Sequence, residues 1–452
     1  MVSFCDDQTI KDLEFPTVLE QLYHYCVGPT AQAQSLSIQA IPDHKQLHHA
    51  LSKVNEWVQI KEEGLSFPAL QFEELALEIQ LLPKKNASLP MESFIRIRDA
   101  SDLVNRLVIF FQKHEDRFFN LRASLRDVYF TEDLIHLIDQ VFDKRGQIKD
   151  DASETLFGIR QRMKTVQQQI NRNFDKELKR WLRVGFLSDT KESYFDNRRM
   201  LAVLSTHKRQ VAGSISGSSK TGTVTYIEPQ VNVPLNFEME QLLDDERKEI
   251  FKILQVLTAN CYAYFQLICG YQNSLTELDF IHAKCRLARS MNACLPAISE
   301  EQEIHLIDAY HPVLKWKNEK QQKNTFPQSV KMDKFSRMLV ISGPNAGGKS
   351  ITLKTIGLLQ LMIQCGLLIP VHPNSRISLF HKLLTDIGDN QSIENELSTY
   401  SYRLKRMRYF LEIANRKTLL LLDEFGTGSD PELGGALAEV FFEELYQKKS
   451  FG

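Results

Sequence analysis

Apolar residues between Ile10 and about residue 145 recur at steps of three and four, as in Leu13, Val18, Leu19 and Leu22, and glycine and proline are sparse. That spacing predicts a series of amphipathic helices. Breaks are expected at Gly28-Pro29, Pro42, Gly64 to Pro68, Pro83 to Pro90 and Gly146. No side-chain pattern in this stretch has a readable chemistry, and a packed helical scaffold is its expected role. From Asp151 the pattern sharpens. Leu156, Ile159, Met163, Val166, Ile170, Phe174, Leu178 and Trp181 form one apolar stripe, and Leu243, Ile250, Leu257 and Tyr264 repeat at seven-residue steps. Two long helices with such seams pair as an antiparallel stalk or lie within a compact bundle. Between them, residues 185 to 235 alternate in the manner of β-strands, as in Met200 to Leu204 and Thr223 to Ile227, around the Gly/Ser-rich segment Gly213 to Gly222. A small β-module at the tip of a two-helix stalk is the simplest arrangement.

The C-terminal third changes period. Arg337 to Ile341 reads as a short buried strand, followed by Gly343, Pro344, Asn345, Ala346, Gly347, Gly348, Lys349 and Ser350, then by a helical stretch from Ile351 to Met362. This is a G-x-x-x-x-G-K-S phosphate loop (Walker A) in its required strand–loop–helix setting. Backbone N–H groups and the helix N-terminus attract phosphate, Lys349 reaches the β- and γ-phosphates, and the Ser350 hydroxyl ligates Mg²⁺. A second strand, Thr418 to Leu422, carries four consecutive leucines and ends in Asp423-Glu424. Such a strand is expected to be buried on both faces of a parallel sheet. Asp423 then belongs to the Mg²⁺ shell, and Glu424 is the candidate general base for the attacking water. Between the two motifs, Ser398 and Thr399 stand before a helical stretch from Tyr402 to Ile413, where they read by themselves as an N-cap.

Composition restricts the partners. The 452 residues carry a formal net charge of −2, so no global positive field attracts a polyanion and any nucleic-acid contact must be local. The β-module concentrates base: Arg198, Arg199, His207, Lys208, Arg209 and Lys220, with Lys176, Lys179, Arg180 and Arg183 on the incoming helix. This is either a phosphate-binding clamp or a solvated surface. The seven cysteines form no C-x-x-C pair, which argues against zinc ribbons and thioredoxin chemistry and for reduced thiols. No leader pattern opens the chain, and no apolar run reaches the length of a membrane span, so a cytoplasmic protein is expected.

These segments together resemble the MutS family of DNA mismatch-repair-like ATPases, in its second branch, whose full-length members usually end in an Smr nuclease domain. The resemblance covers essentially the whole chain. Besides the phosphate loop and Asp423-Glu424, it rests on Lys11 to Phe15, Gly146 to Asp150 with Ala152-Ser153, Gly222 to Pro229, Asp279 to Ile281, His311-Pro312, Asp386 to Asp389 with Gln391 to Ile393, and Leu397 to Tyr400. It implies a mixed fold: a long α-helical core and lever region with a small β-rich clamp insertion, followed by an α/β P-loop ABC-type ATPase domain. The implied divisions are a helical core over 1–150, an outgoing lever helix over 151–184, the clamp over 185–235, a returning lever helix and further core over 236–300, and the ATPase over 301–452.

The resemblance also assigns residues. His311 joins the nucleotide-binding set, Ser350 and Asp423 match the magnesium positions, and Glu424 matches the catalytic carboxylate. Ser398 and Thr399 match the signature that meets the γ-phosphate of the opposite subunit, and Asp430 lies in the loop that crosses the dimer. A homodimer with ATP and Mg²⁺ in composite sites follows. Residues 1 to 14 lead straight into the helical core, and no Phe-x-Glu wedge occurs in a comparable setting, so direct mismatch reading is not expected. The chain stops at Gly452, before the family's next strand and switch histidine, so slow hydrolysis is expected. The family allows an ATPase that binds branched or recombination-intermediate DNA and restrains recombination, which is the favoured reading. It also allows an ATPase that grips and splits stalled or collided ribosomes. A third reading is a nucleotide-dependent scaffold that only dimerises.

Overall fold

The apolar stripe that starts at Leu156 winds into one helix of 31 residues, Glu154–Val184, about 46 Å long at 1.5 Å per residue. Ser153 caps its start by accepting a hydrogen bond from the Leu156 N–H, and Gly185, at a φ of 76°, ends it in the left-handed region that a glycine adopts without strain. The computed structural model describes residues 4–343, 348–387, 399–423 and 431–452. The chain forms two compact units: Met1–Glu74 with Leu103–Phe130 and Gly270–Gly452, and Leu75–Asp102 with Thr131–Cys269.

In the second unit the helix Val233–Tyr262 runs antiparallel to Glu154–Val184. Polar pairs set the register: Ser153 donates to Glu249 at 2.8 Å, Arg160 to Glu246 at 2.8 Å and Arg162 to Glu238 at 2.6 Å. Of the seven-residue seam on the returning helix, Leu257 is buried, while Leu243 is 38% exposed. The expected long returning helix also breaks at Ala263–Tyr264, and a new helix starts at Phe265. Hydrogen bonds of i→i+3 type from Ala263 to Asn260 and from Tyr264 to Cys261 tighten the chain there, and the Tyr264 hydroxyl donates to Asp133 at 3.3 Å. No glycine or proline marks the break, so the residue pattern conceals it.

Four strands lie between the two long helices: β1 (Leu187–Phe195), β2 (Arg198–Leu204), β3 (Gly213–Ser218) and β4 (Val224–Pro229). They form an antiparallel sheet in the order β1-β2-β4-β3. Leu201, Val203 and Ile227 pack with Val211 against Phe174 and Trp181 of the outgoing helix. One face of the sheet thus covers the end of the stalk, but the expected alternation fails in β2, where Met200 and Ala202 are buried as fully as Leu201 and Val203.

The first unit holds the other sheets. Strands β5 (Ala297–Ser299), β6 (Ile304–Ala309), β7 (Gln328–Met332) and β8 (Arg376–Ser378) make one in the order β5-β8-β6-β7. Strands β9 (Lys382–Asp386) and β10 (Thr418–Leu422) pair in parallel, with Leu422 opposite Asp386. The four leucines of β10 behave as expected: Leu419, Leu420 and Leu421 are buried and Leu422 is partly so. Leu420 and Leu384 pack with Phe410, Phe441 and Leu445 of the helices Thr399–Ile413 and Pro431–Gln447. Leu421 faces the other way, toward Gly357 of the helix Lys349–Gln364. Two helical layers thus enclose the parallel pair. Segment 337–341, expected as a strand, is extended without being one. It exchanges two hydrogen bonds with Gly452, through Leu339 N–H and Arg337 C=O, and Val340 beyond them is 86% exposed.

The seven cysteines are free, and burial pushes the Cys26, Cys261 and Cys365 thiols up to about 12, which keeps them protonated. Among the described residues no single helix is long and apolar enough to cross a membrane.

The clamp sheet offers a direct test of its packing. A Cβ on Gly213 would stand 2.0 Å from the Glu228 carbonyl oxygen of the paired strand, whereas one on Gly217 meets nothing within 4 Å. Gly213→Ala is expected to destabilise the second unit by about 1–3 kcal/mol and to speed amide exchange over 213–229. Gly217→Ala should stay within about 0.5 kcal/mol of the parent. Urea titration with exchange mass spectrometry measures both.

Candidate nucleotide site and basic clamp

Helix Lys349–Gln364 starts from Gly348, whose φ of 82° lies in the left-handed region that a glycine adopts without strain. The helix is buried nearly all round from Thr355 onward, and its two glutamines donate within the core: Gln360 to the Ser378 carbonyl at 3.0 Å and Gln364 to the Phe380 carbonyl at 2.9 Å, while Gln360 Oε1 has no hydrogen-bond partner among the described residues. Its unbroken run of buried residues spans Thr355 to Gln364, and its first turn, Lys349 to Ile351, is half-buried beside the strand ends. At that terminus Lys349 Nζ donates to the Gly343 carbonyl oxygen across the loop at 2.6 Å. Ser350 Oγ donates to Asp423 Oδ2 in a very short hydrogen bond. Asp423 follows β10, and its N–H donates to the Asp386 carbonyl at 2.8 Å, extending the parallel pairing by one residue. Residues 73 positions apart thereby meet at the C-terminal ends of parallel strands, where α/β sheets bind ligands.

Of the site residues expected from sequence, Gly343, Gly348, Lys349, Ser350 and Asp423 come together at this place. Pro344, Asn345, Ala346, Gly347, Ser398, Glu424 and Asp430 lie outside the described residues. Thr399 is the first residue of the helix Thr399–Ile413. His311 is 4% exposed. It is the N-cap of helix Pro312–Lys320, its Nδ1 accepting from the Leu314 N–H at 3.3 Å. Its buried Nε2 has no hydrogen-bond partner among the described residues. Burial pushes the ring down to about 4, with the negative charge of Glu14 opposing and the positive charge of Lys354 assisting.

Ser350 and Asp423 present two hard oxygens at one point, the donor type that Mg²⁺ takes together with phosphate oxygens. Among the described residues no group of three or more His, Cys, Asp or Glu side chains could hold a metal.

Several contacts around the site were not expected from sequence. Lys354, one turn beyond Ser350, donates to Glu14 at 2.8 Å. Thr352 donates to Gln328 of β7 at 3.1 Å. Thr385 donates to Asp12 at 2.7 Å, and Arg406 donates to Asp6 at 3.0 Å. The segment Lys11 to Phe15 supplied the one sequence signal for any of these, without saying what it touches.

In the clamp, the basic residues divide in two. Arg198 pairs with Glu228 at 3.3 Å and, more closely, with Glu240. Arg199 pairs with Asp175 at 3.0 Å and Glu192 at 2.7 Å, and its guanidinium lies 4.2 Å over the Phe174 ring. Both arginines are thus structural struts between sheet and stalk. Lys208, Arg209 and Lys220 are exposed, and no ion pair engages them among the described residues.

The comparisons with known proteins fit this geometry. The MutS domain V profile matches residues 339–451, which span the phosphate loop and the acidic strand end. The chain belongs to the MutS family. Within it the chain falls in the MutS2 branch. It is 31% identical over 445 residues to Endonuclease MutS2 of Aquifex aeolicus, covering 98% of this chain and 57% of the relative. It is 33% identical over 449 residues to Endonuclease MutS2 of Carboxydothermus hydrogenoformans, covering 98% and 56%. With that of Clostridium perfringens the values are 31% over 444 residues, 97% and 55%. The chain therefore spans a little over half the length of the curated relatives it matches.

The buried histidine has a measurable consequence. In the unfolded chain His311 takes up its proton near pH 6.5, but in the fold only near 4. Its contribution to stability is present above about pH 6.5 and is lost as pH falls between these values, because the unfolded chain binds the proton first. His311→Asn, which can still cap the helix, is expected to flatten the pH slope of the unfolding midpoint in that window by up to one proton. Denaturant titrations from pH 7 to pH 4 measure it.

Proposed function

We propose that this chain is an ATP-hydrolysing, nucleic-acid-gripping protein whose target is branched or recombination-intermediate duplex DNA, and that its action restrains recombination. The meeting of Ser350 and Asp423 beside Lys349, at the head of a largely buried helix, carries the reading. Lys349 turns from the Gly343 carbonyl to the β- and γ-phosphates of ATP, and the N-terminal N–H groups of its helix accept the phosphate charge. Ser350 and Asp423 would hold Mg²⁺. Bound there, the ion neutralises phosphate charge and polarises the terminal phosphoryl group. Glu424 takes the proton of the attacking water. Ser398 and Thr399 serve the partner's site in a homodimer, with Asp430 in the loop between the two copies. Nucleotide state then sets how the two clamps close.

In this reading the nucleic-acid contact lies on the exposed Lys208, Arg209 and Lys220, with Lys176, Lys179 and Arg183 beside them. Arg198 and Arg199 build the clamp rather than touch phosphate, since carboxylates occupy them on two sides each.

Two measurements test the proposal. Lys349→Ala should abolish ATP binding, and Glu424→Gln should keep binding while lowering turnover by about 10²–10⁴-fold. Four-way-junction DNA should bind the ATP-loaded dimer in competition with intact ribosomes. Changing Lys208, Arg209 and Lys220 together to alanine should reduce the salt slope of that binding by about 3. Loss of junction binding to a modest amount of ribosome would transfer the reading to a ribosome-gripping ATPase. ATP binding without turnover or salt-sensitive DNA binding would leave a nucleotide-dependent scaffold.

A further inference from the structure

Residue Thr385, next to last in β9, is held on every polar atom. Its N–H donates to Thr9 Oγ1 at 3.2 Å, its hydroxyl donates to Asp12 Oδ2 at 2.7 Å, and its carbonyl accepts from Arg406 Nη2 at 2.5 Å. All three partners lead to the first twelve residues. Thr9 and Asp12 belong to the helix Asp7–Asp12, and Asp6, its N-cap, accepts from Thr9 N–H at 2.8 Å and from Arg406 Nη1 at 3.0 Å. The Leu383 N–H donates to the Phe4 carbonyl at 3.0 Å, so the N-terminal segment also lies along the outer edge of β9. Just beyond the helix, Leu13 fills the space over Gly357 of the phosphate-loop helix, where an added Cβ would stand 2.5 Å from Leu13 Cδ2 and 2.6 Å from Leu421 Cδ1. Glu14 then takes the Lys354 ammonium at 2.8 Å.

We infer that residues 4–14 form a clasp that positions the metal side of the nucleotide site, with Asp12 acting through Thr385 and Asp6 acting through Arg406. The inference rests on the proposed nucleotide site. The path is short and continuous. Thr385 precedes Asp386, the Asp386 carbonyl accepts the Asp423 N–H, and Asp423 accepts the Ser350 hydroxyl. Fixing Thr385 therefore fixes the depth at which Asp423 leaves its strand, relative to a phosphate-loop helix that the same clasp grips at Gly357 and Lys354. Arg406 ties in a third element, the helix Thr399–Ile413. These side chains never reach nucleotide; they set the spacing of the ones that do, as outer partners of metal-binding residues do generally.

The test uses the whole chain and reads Mg²⁺ dependence. Thr385→Val keeps the shape and removes the hydroxyl; Thr385→Ser keeps the hydroxyl. A fluorescent ATP analogue is titrated with and without Mg²⁺, alongside thermal unfolding. Thr385→Val is expected to raise the half-saturating Mg²⁺ concentration about 10-fold, leave metal-free nucleotide affinity within about two-fold, and be rescued by Thr385→Ser. Asp12→Asn, a milder change of the same contact, should move the same quantity in the same direction if the valine variant fails to fold, and should not add to it in the double variant if both fold. A parental Mg²⁺ dependence in Thr385→Val and in Asp12→Asn, or an equal loss of metal-free and Mg²⁺-supported binding, overturns the clasp alone. Absence of Mg²⁺-supported nucleotide binding in the unaltered chain overturns the nucleotide site and the clasp together.

Discussion

The parallel pairing of β9 with β10 is the constraint on which the rest of the first unit depends. It is only five residue pairs long, yet both faces are covered, so the strands cannot slide without exposing leucines on one side or the other. That fixed register places Asp423 opposite the end of β9 and level with the start of the phosphate-loop helix. The helix is equally constrained, since its glutamines are bonded to Ser378 and Phe380 within the core. The Ser350 hydroxyl and the Asp423 carboxylate therefore meet between two elements packed into one core.

The clamp works by a different balance. Its sheet is small and would be marginal alone, so it is seated on the end of a long helix through Phe174 and Trp181, and braced by Arg198 and Arg199. Buried Glu228 is central to this bracing, bonded by Asn236 at 2.6 Å as well as by Arg198. The segment Gly222 to Pro229, one of those that carry the family resemblance, thus holds the strand Val224–Pro229, whose carboxylate Glu228 anchors the module. Charge counted along a sequence does not reveal which cations remain available to a ligand. Here two of the five candidate clamp residues are neutralised by neighbours that lie seven to forty-two positions away.

Much of this is legible in the residue pattern alone. The long outgoing helix announces itself through an unbroken stripe, a serine cap and a terminal glycine, all local signals. The phosphate loop and Asp423 are legible because their chemistry requires particular residue types at nearly fixed spacing, and β10 because a run of leucines fits few environments other than a doubly covered strand. The break at Ala263–Tyr264 is not legible, since neither glycine nor proline marks it.

What the amino-acid sequence determined by itself was therefore the inventory and its family: the two long helices, the β-rich insertion, the G-x-x-x-x-G-K-S segment with Lys349 and Ser350, and the acidic end of β10. These follow from interactions within a few residues or from motifs whose spacing the chemistry dictates. Tertiary structure alone decided which of those residues meet. It brought Ser350 to Asp423, withdrew Arg198 and Arg199 into ion pairs, enclosed His311 as a helix cap, and folded the N-terminal segment against β9 and the phosphate-loop helix. Such choices join residues up to 400 positions apart. They depend on burial and on competition among many possible partners, which no local pattern encodes.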